Sequence, residues 1–178
     1  MSRKVCVGCL CIWMWAAIVS VVDGGGLKTD FLGFHLGETE AESRAVLGDI
    51  ELICDKTEGN ETTWAYAGNH RLRGARLTML GFWKGRLHLV IVGFNVEDEL
   101  LYDALKPKLE RRYGEMEKVI CIGGKKCRRV ADGMAIELHH DRKMFESDTV
   151  YLTAVHVALQ GVIEAAKVAR KGDEVGEL

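Results

Sequence analysis

The chain has 178 residues, 48% hydrophobic and 28% charged, with a single proline and a formal net charge of -2. That composition excludes a disordered or collagen-like chain and supplies enough apolar material for a sizeable core. Its mildly acidic balance argues against a nucleic-acid partner, which would call for a strongly basic face to neutralise phosphates.

The chain opens with a short positive start, Ser2-Arg3-Lys4, and then runs uncharged from Val5 to Val22. This reads as an export signal over residues 1–24. Two forms of it compete. A cleaved signal has an apolar region of about 7 to 15 residues, whereas an 18-residue helix would reach ~27 Å and nearly span a bilayer as a retained N-terminal anchor. Val22 and Gly24 offer small residues near a cut, although Asp23 lies between them. Too little apolar chain precedes Gly8-Cys9 for a lipoprotein site. The expected location is therefore the periplasm or the extracellular space, with inner-membrane contact if the segment is retained. Residues 25–178 form the expected domain and keep Cys54, Cys121 and Cys127.

Phe31 to Phe34 reads as a short extended piece. Thr39 with Glu42 three residues later forms a capping box, which predicts a helix from Glu40 to Leu47 stopped by Gly48. Strands follow at Ile50 to Cys54 and Thr62 to Tyr66. Ala75 to Trp83 and Arg86 to Asn95 flank Lys84-Gly85 and predict a hairpin. Leu87, Leu89, Ile91 and Gly93 alternate with His88, Val90, Val92 and Phe94, and neither set is polar. Both faces of that hairpin are therefore expected to be covered, at least in part, by a helix or a partner.

Asn95 is a candidate cap for the next helix, with Glu97, Asp98 and Glu99 in its first turn and Lys108, Arg111 and Arg112 near its end. Val96, Leu100, Leu101, Ala104, Leu105, Leu109 and Tyr113 recur at helical spacing and predict its buried stripe. Pro107 is expected to kink or split the helix near Lys106, and Gly114 ends it. Strands are predicted at Lys118 to Ile122, Lys126 to Ala131, Met134 to His140 and Thr149 to His156, then a last helix from Val157 to Lys171. Leu159, Val162, Ile163, Ala166 and Ala169 give that helix an apolar face.

"GDIELIC" (Gly48 to Cys54) and "GEMEKVIC" (Gly114 to Cys121) echo each other, and Gly33-Phe34 and Gly93-Phe94 precede the two helices. The same order of elements twice suggests a degenerate tandem repeat over residues 31–94 and 95–171. The expected fold class is α+β: an antiparallel sheet with helices packed on one face and a C-terminal helix.

Four short motifs carry a resemblance: "LGxTxxE" at Leu36 to Glu42, "WxY" at Trp64 to Tyr66, "FxxGxLxxV" at Phe82 to Val90 and "LxxxYG" at Leu109 to Gly114. The first three resemble bacterial envelope proteins of the BamE type. The duplicated plan is similar to secreted β-lactamase inhibitory proteins, which use two such units. The chain departs from the BamE type in lacking a lipoprotein site and in having two units. The resemblance implies a non-catalytic envelope protein that binds other proteins, and it carries over no binding residue.

The clearest chemical handle is "VICIGGKKCRRV", Val119 to Val130. A phosphate loop would need a Ser or Thr after Gly-Lys and a helix after the loop, whereas Lys126 and a strand follow Gly124-Lys125 here. A metal site would need two more ligands beside Cys121 and Cys127, from Cys54 and a histidine such as His139. A turn at Gly123, Gly124 and Lys125 would set Cys121 opposite Cys127 and let an oxidising compartment join them. Cys54 is then the unpaired thiol, and other pairings stay open. His139 and His140 are adjacent on a strand and point to opposite faces, so they cannot chelate together.

Two basic clusters, Arg71, Arg73 and Arg76, and Lys125, Lys126, Arg128 and Arg129, form a candidate cationic binding surface; solvated turns are the plainer reading. Trp64, Tyr66, Phe82 and Trp83 are candidate aromatic anchors if exposed, and core residues otherwise. No catalytic residue, metal site or cofactor is assigned. The expected function is binding of another envelope protein, as an assembly factor or an inhibitor. A small thiol- or metal-dependent hydrolase using Cys54 or the histidines, and a carrier of an apolar small molecule, are the alternatives.

Overall fold

A computed structural model of the chain describes residues 30–69, 71–95, 100–121, 124–141 and 149–176, apart from the side chains of Asn95 and residues 171–176. The export segment, His70, the candidate cap and first turn at 95–99, and Ile122 with Gly123, the first residue of the expected turn, lie outside the described residues or side chains. The chain forms β1 (Asp30–Phe31), β2 (Phe34–His35), α1 (Glu40–Leu47), β3 (Leu52–Glu58), β4 (Glu61–Tyr66), β5 (Leu77–Trp83) and β6 (Arg86–Asn95). It continues with α2 (Leu100–Tyr113), β7 (Glu117–Val119), β8 (Gly124–Ala131), β9 (Met134–Asp141), β10 (Thr149–His156) and α3 (Val157–Gly176). Among the described residues no helix is long and apolar enough to cross a membrane.

The fold is α+β. β1 and β2 make a small hairpin, and the other eight strands make one antiparallel sheet in the order β3-β4-β5-β6-β10-β9-β8-β7. Each half is a helix followed by a four-stranded meander, and the last strands of the two meanders pair at the centre. That seam runs from Thr149 opposite Asn95 to Val155 opposite Leu89.

Local chemistry explains the helices. Thr39 caps α1: its hydroxyl accepts from the Glu42 N–H, and the Glu42 carboxylate accepts from the Thr39 N–H at 2.7 Å, a device worth about 1 kcal/mol. These bonds hold the Glu42 carboxyl below its ordinary pKa, the backbone bond from Thr39 most of all. Gly48 and Gly114 end the two helices in equivalent ways. Both have positive φ, and each N–H donates to the carbonyl four residues back, a conformation glycine adopts without steric cost.

α2 corrects two expectations. It runs through Pro107 as one helix, which overturns the expected split; Pro107 and Asp103, whose carbonyl forfeits a bond to the missing N–H, are both solvent-exposed, so water can satisfy that carbonyl. Its buried stripe is set by Tyr102 and Leu109, with Leu101, Leu105 and Tyr113 beside them. Leu100 and Ala104, both expected in that stripe, are exposed.

Strand alternation sorts the sheet into two faces. On one, α1 covers the first meander, with Arg44 over the Trp64 ring at 5.0 Å. α2 covers the second, with Tyr102 facing His140. The core lies between, in cross-strand rows such as Tyr66, Thr78, Val92, Leu152, Leu138 and Cys127. His88 is the extra residue of a bulge opposite Gly81 and Phe82. The bulge turns Leu87 into this core, away from the Leu89 and Ile91 face that simple alternation assigned it.

α3 lies against the other face. Ala135, Val155 and Ile163 are buried there, outside the main core. Lys167 reaches Glu61 of β4 at 2.9 Å, so α3 leaves β10 and crosses β6 and β5. Gln160, Glu164 and Lys167 share one flank of α3, while Ala158, Val162, Ala165 and Ala169 form the opposite, exposed flank.

Candidate protein-binding face

Because α3 follows the end of the sheet that carries Glu61 and His88, no helix among the described residues lies over the remainder of that face. Two cross-strand rows occupy it. The first runs Leu77, Gly93, Tyr151, His139, Lys126 and Val119. The second runs Met79, Ile91, Thr153, Glu137, Arg128 and Glu117. β5 and β8, which supply the apolar and charged ends of these rows, lie four strand spacings apart, roughly 19 Å.

The rows change character along their length. Leu77, Met79 and Ile91 are partly exposed aliphatic side chains at the first meander's end. Tyr151 lies over Gly93, where a Cβ would meet its ring at 3.7 Å; the glycine lets the aromatic ring lie flat on the sheet. At the second meander's end, Glu137 holds Lys126 at 2.9 Å and Arg128 at 3.8 Å. His139 stands beside this group, and burial together with the Lys126 charge pushes its pKa below the ordinary imidazole value. Such a surface suits a partner with an apolar projection beside charged or hydrogen-bonding groups.

The sequence-derived candidates divide. Trp64, Tyr66 and Phe82 are buried in the core under α1, which corrects their assignment as anchors: their positions on β4 and β5 point to the helix-covered face. Only Trp83 is partly exposed. The basic clusters do not form one surface. Alternation along β8 sends Lys126 and Arg128 to the open face, while Lys125 and Arg129 turn to the helix side. There Lys125 pairs with Asp103 at 2.8 Å, and Arg129 packs on Gly114. Arg71, Arg73 and Arg76 are exposed in the loop between β4 and β5, strands away from β8.

The three described cysteines are free thiols. Cys127 stands opposite Lys118, which corrects the expected Cys121 pairing. Gly124 is already a strand residue, paired with Asp141, where an added Cβ would collide with the His140 carbonyl, and Cys121 falls beyond the end of β7. Cys127 is buried against Met116, with Sγ and Sδ 3.8 Å apart, and burial raises its thiol pKa. Cys54 is exposed on β3. His139 and His140 point to opposite faces as expected, His140 fully buried. Among the described residues no three His, Cys, Asp or Glu side chains are grouped to hold a metal ion.

Sequence reading missed Tyr151, Met79 and Glu137. The available signal was alternation: Tyr151 and Thr153 interrupt an otherwise aliphatic strand at every second position. Compared with known protein families, curated proteins and solved structures, the chain matches none.

Proposed function

We propose that the protein is an exported envelope protein that acts without catalysis, binding another protein through the two open rows as an assembly factor or an inhibitor. The observation that carries this reading is the part of the sheet that no described helix covers, where Leu77, Met79, Ile91 and Tyr151 remain partly exposed beside the Lys126, Glu137 and Arg128 group. A sheet face with aliphatic and aromatic side chains at one end and a charge network at the other has the mixed composition of a transient interface. The uncharged N-terminal run from Val5 to Val22 supports the address.

The test is capture from envelope extracts on immobilised residues 25–178. Tyr151→Arg places a charge in the middle of the rows, while Lys108→Glu alters the exposed side of α2. The wild-type chain and K108E are expected to capture the same partner, and Y151R at least tenfold less of it. Equal capture by all three chains, or none by the wild type, argues against the reading.

A further inference from the structure

The helix that limits the open face is held over two histidines. His88 of β6 is 3% exposed, with the Gln160 side chain of α3 as a hydrogen-bonding neighbour of its ring. Its Nε2 lies 4.0 Å from one Glu61 carboxylate oxygen, while the other oxygen of that carboxylate holds Lys167 of α3 at 2.9 Å. One carboxylate on β4 thus stands between the ring and the helix. His156, the last residue of β10, acts at the helix terminus, where its Nδ1 accepts from the Leu159 N–H at 3.4 Å and caps the first turn of α3.

We propose that α3 is a proton-operated strap: it lies across the sheet while His88 and His156 are neutral and lifts off when the two rings take up protons. The reason differs for each ring. A cation at His88 would be formed beneath the helix, out of water and near the Lys167 ammonium. A proton on Nδ1 of His156 removes the acceptor that caps α3 and sets a positive charge at the helix N-terminus, where the backbone dipoles oppose it.

The groups around each ring act in both senses. Facing His88 are Glu61 from β4, Gln160 and Lys167 from α3, and His156 from β10, with the Gly81 backbone of β5 closing the remaining side. Burial is the largest influence and disfavours the charged ring; Lys167 and His156 act in the same sense, and Glu61 and Gln160 oppose them. His156 lies 3.8 Å from the position a Gly37 side chain would take; burial lowers its pKa also.

Both docked rings titrate below their free value of about 6.5, so the released form binds more protons than the docked one. Docking is therefore at full strength above about pH 6.5 and weakens as the pH falls through the lowered values. The docking constant drops by up to tenfold per pH unit for each ring. Release would uncover Gly81, Leu89, Val155 and Ala135 and extend the open rows toward the hairpin turns. The release itself does not depend on the binding role proposed above.

Hydrogen exchange of the full chain at pH 7.5 and 5.0, corrected for the intrinsic effect of pH, tests the strap. Peptides from residues 157–170 are expected to lose at least tenfold in protection at pH 5.0, while β9 and β10 keep theirs. The double variant His88→Gln and His156→Asn retains a cap acceptor and cannot take up the protons, so its α3 should be protected equally at both pH values. Unchanged α3 protection in the wild type, a wild-type response in the double variant, or loss of β9 and β10 together with α3 each overturns the proposal. Ring-proton NMR of the wild type gives an independent readout if the variant does not fold. Both histidines should titrate below 6.5 in step with α3 exchange, and a ring titrating at or above 6.5 overturns it.

Discussion

The two halves of the sheet share a plan and differ in what their plan leaves exposed. Each is a helix ended by a glycine and followed by a four-stranded meander. In the first half α1 covers one face, and in the second α2 does; α3 lies on the opposite face across both, over Val155 and Ala135 of the second half and as far as Glu61 of the first, and no other described helix covers the rest of that face. The edges differ as well. β3 is seven residues long and exposed throughout, including Ile53 at 59%, whereas β7 is three residues of Glu, Lys and Val. The second half protects its edge by shortness and charge; the first leaves a long edge, bent by a bulge between Leu52 and Cys54. Equivalent topology does not imply equivalent surfaces, because strand length and side-chain chemistry at the two edges differ.

The shared core is where this comparison breaks most visibly if it is wrong. Phe82 and Leu138 are fully buried, one in each half. Phe82→Ala should cost about 3–5 kcal/mol and Leu138→Ala about 2–5 kcal/mol. Each variant should still unfold in one transition by urea denaturation followed by circular dichroism, because the β6–β10 seam joins the halves. Two separated transitions would mean that the seam does not make them one cooperative unit.

A smaller effect sharpens the contrast between the helices. Thr39→Ala removes the capping box of α1 and should lower stability by about 1 kcal/mol in the same assay, and an unchanged midpoint would show that α1 is held by packing alone. The smallest effect is expected at the long edge. Ile53→Thr removes exposed apolar surface and should change stability by no more than about 0.5 kcal/mol while reducing self-association in light scattering. A loss well above that value would mean that Ile53 is not the exposed edge residue it is here.

Much of the fold was legible because its signals are local. The Thr39 and Glu42 box, the Lys84-Gly85 turn and the glycines after α1 and α2 act within a few residues. β6, β10 and α1 lie where those signals set them, and α3 begins at the expected residue. The candidate site was less legible. Trp64, Tyr66 and Phe82 carry the residue types of an interface and belong to the core. The basic run at Lys125 to Arg129 is continuous in sequence but divided between two faces in space. Gly124 looks like a turn residue and is a strand residue, because it pairs with Asp141 across the sheet, and Cys127 stands opposite Lys118 in place of Cys121.

By itself, then, the sequence determined the α+β class, the antiparallel meanders, the caps and the two-sided alternation of each strand. All of these follow from backbone geometry and from neighbours close along the chain. Only the tertiary structure decided which face of each strand is covered. That choice rests on the bulge at His88, on the seam that sets β6 beside β10, and on α3 folding back as far as Glu61. These contacts join residues distant in sequence, and a pattern of alternating apolar residues is the same whether a helix lies over them or a partner does.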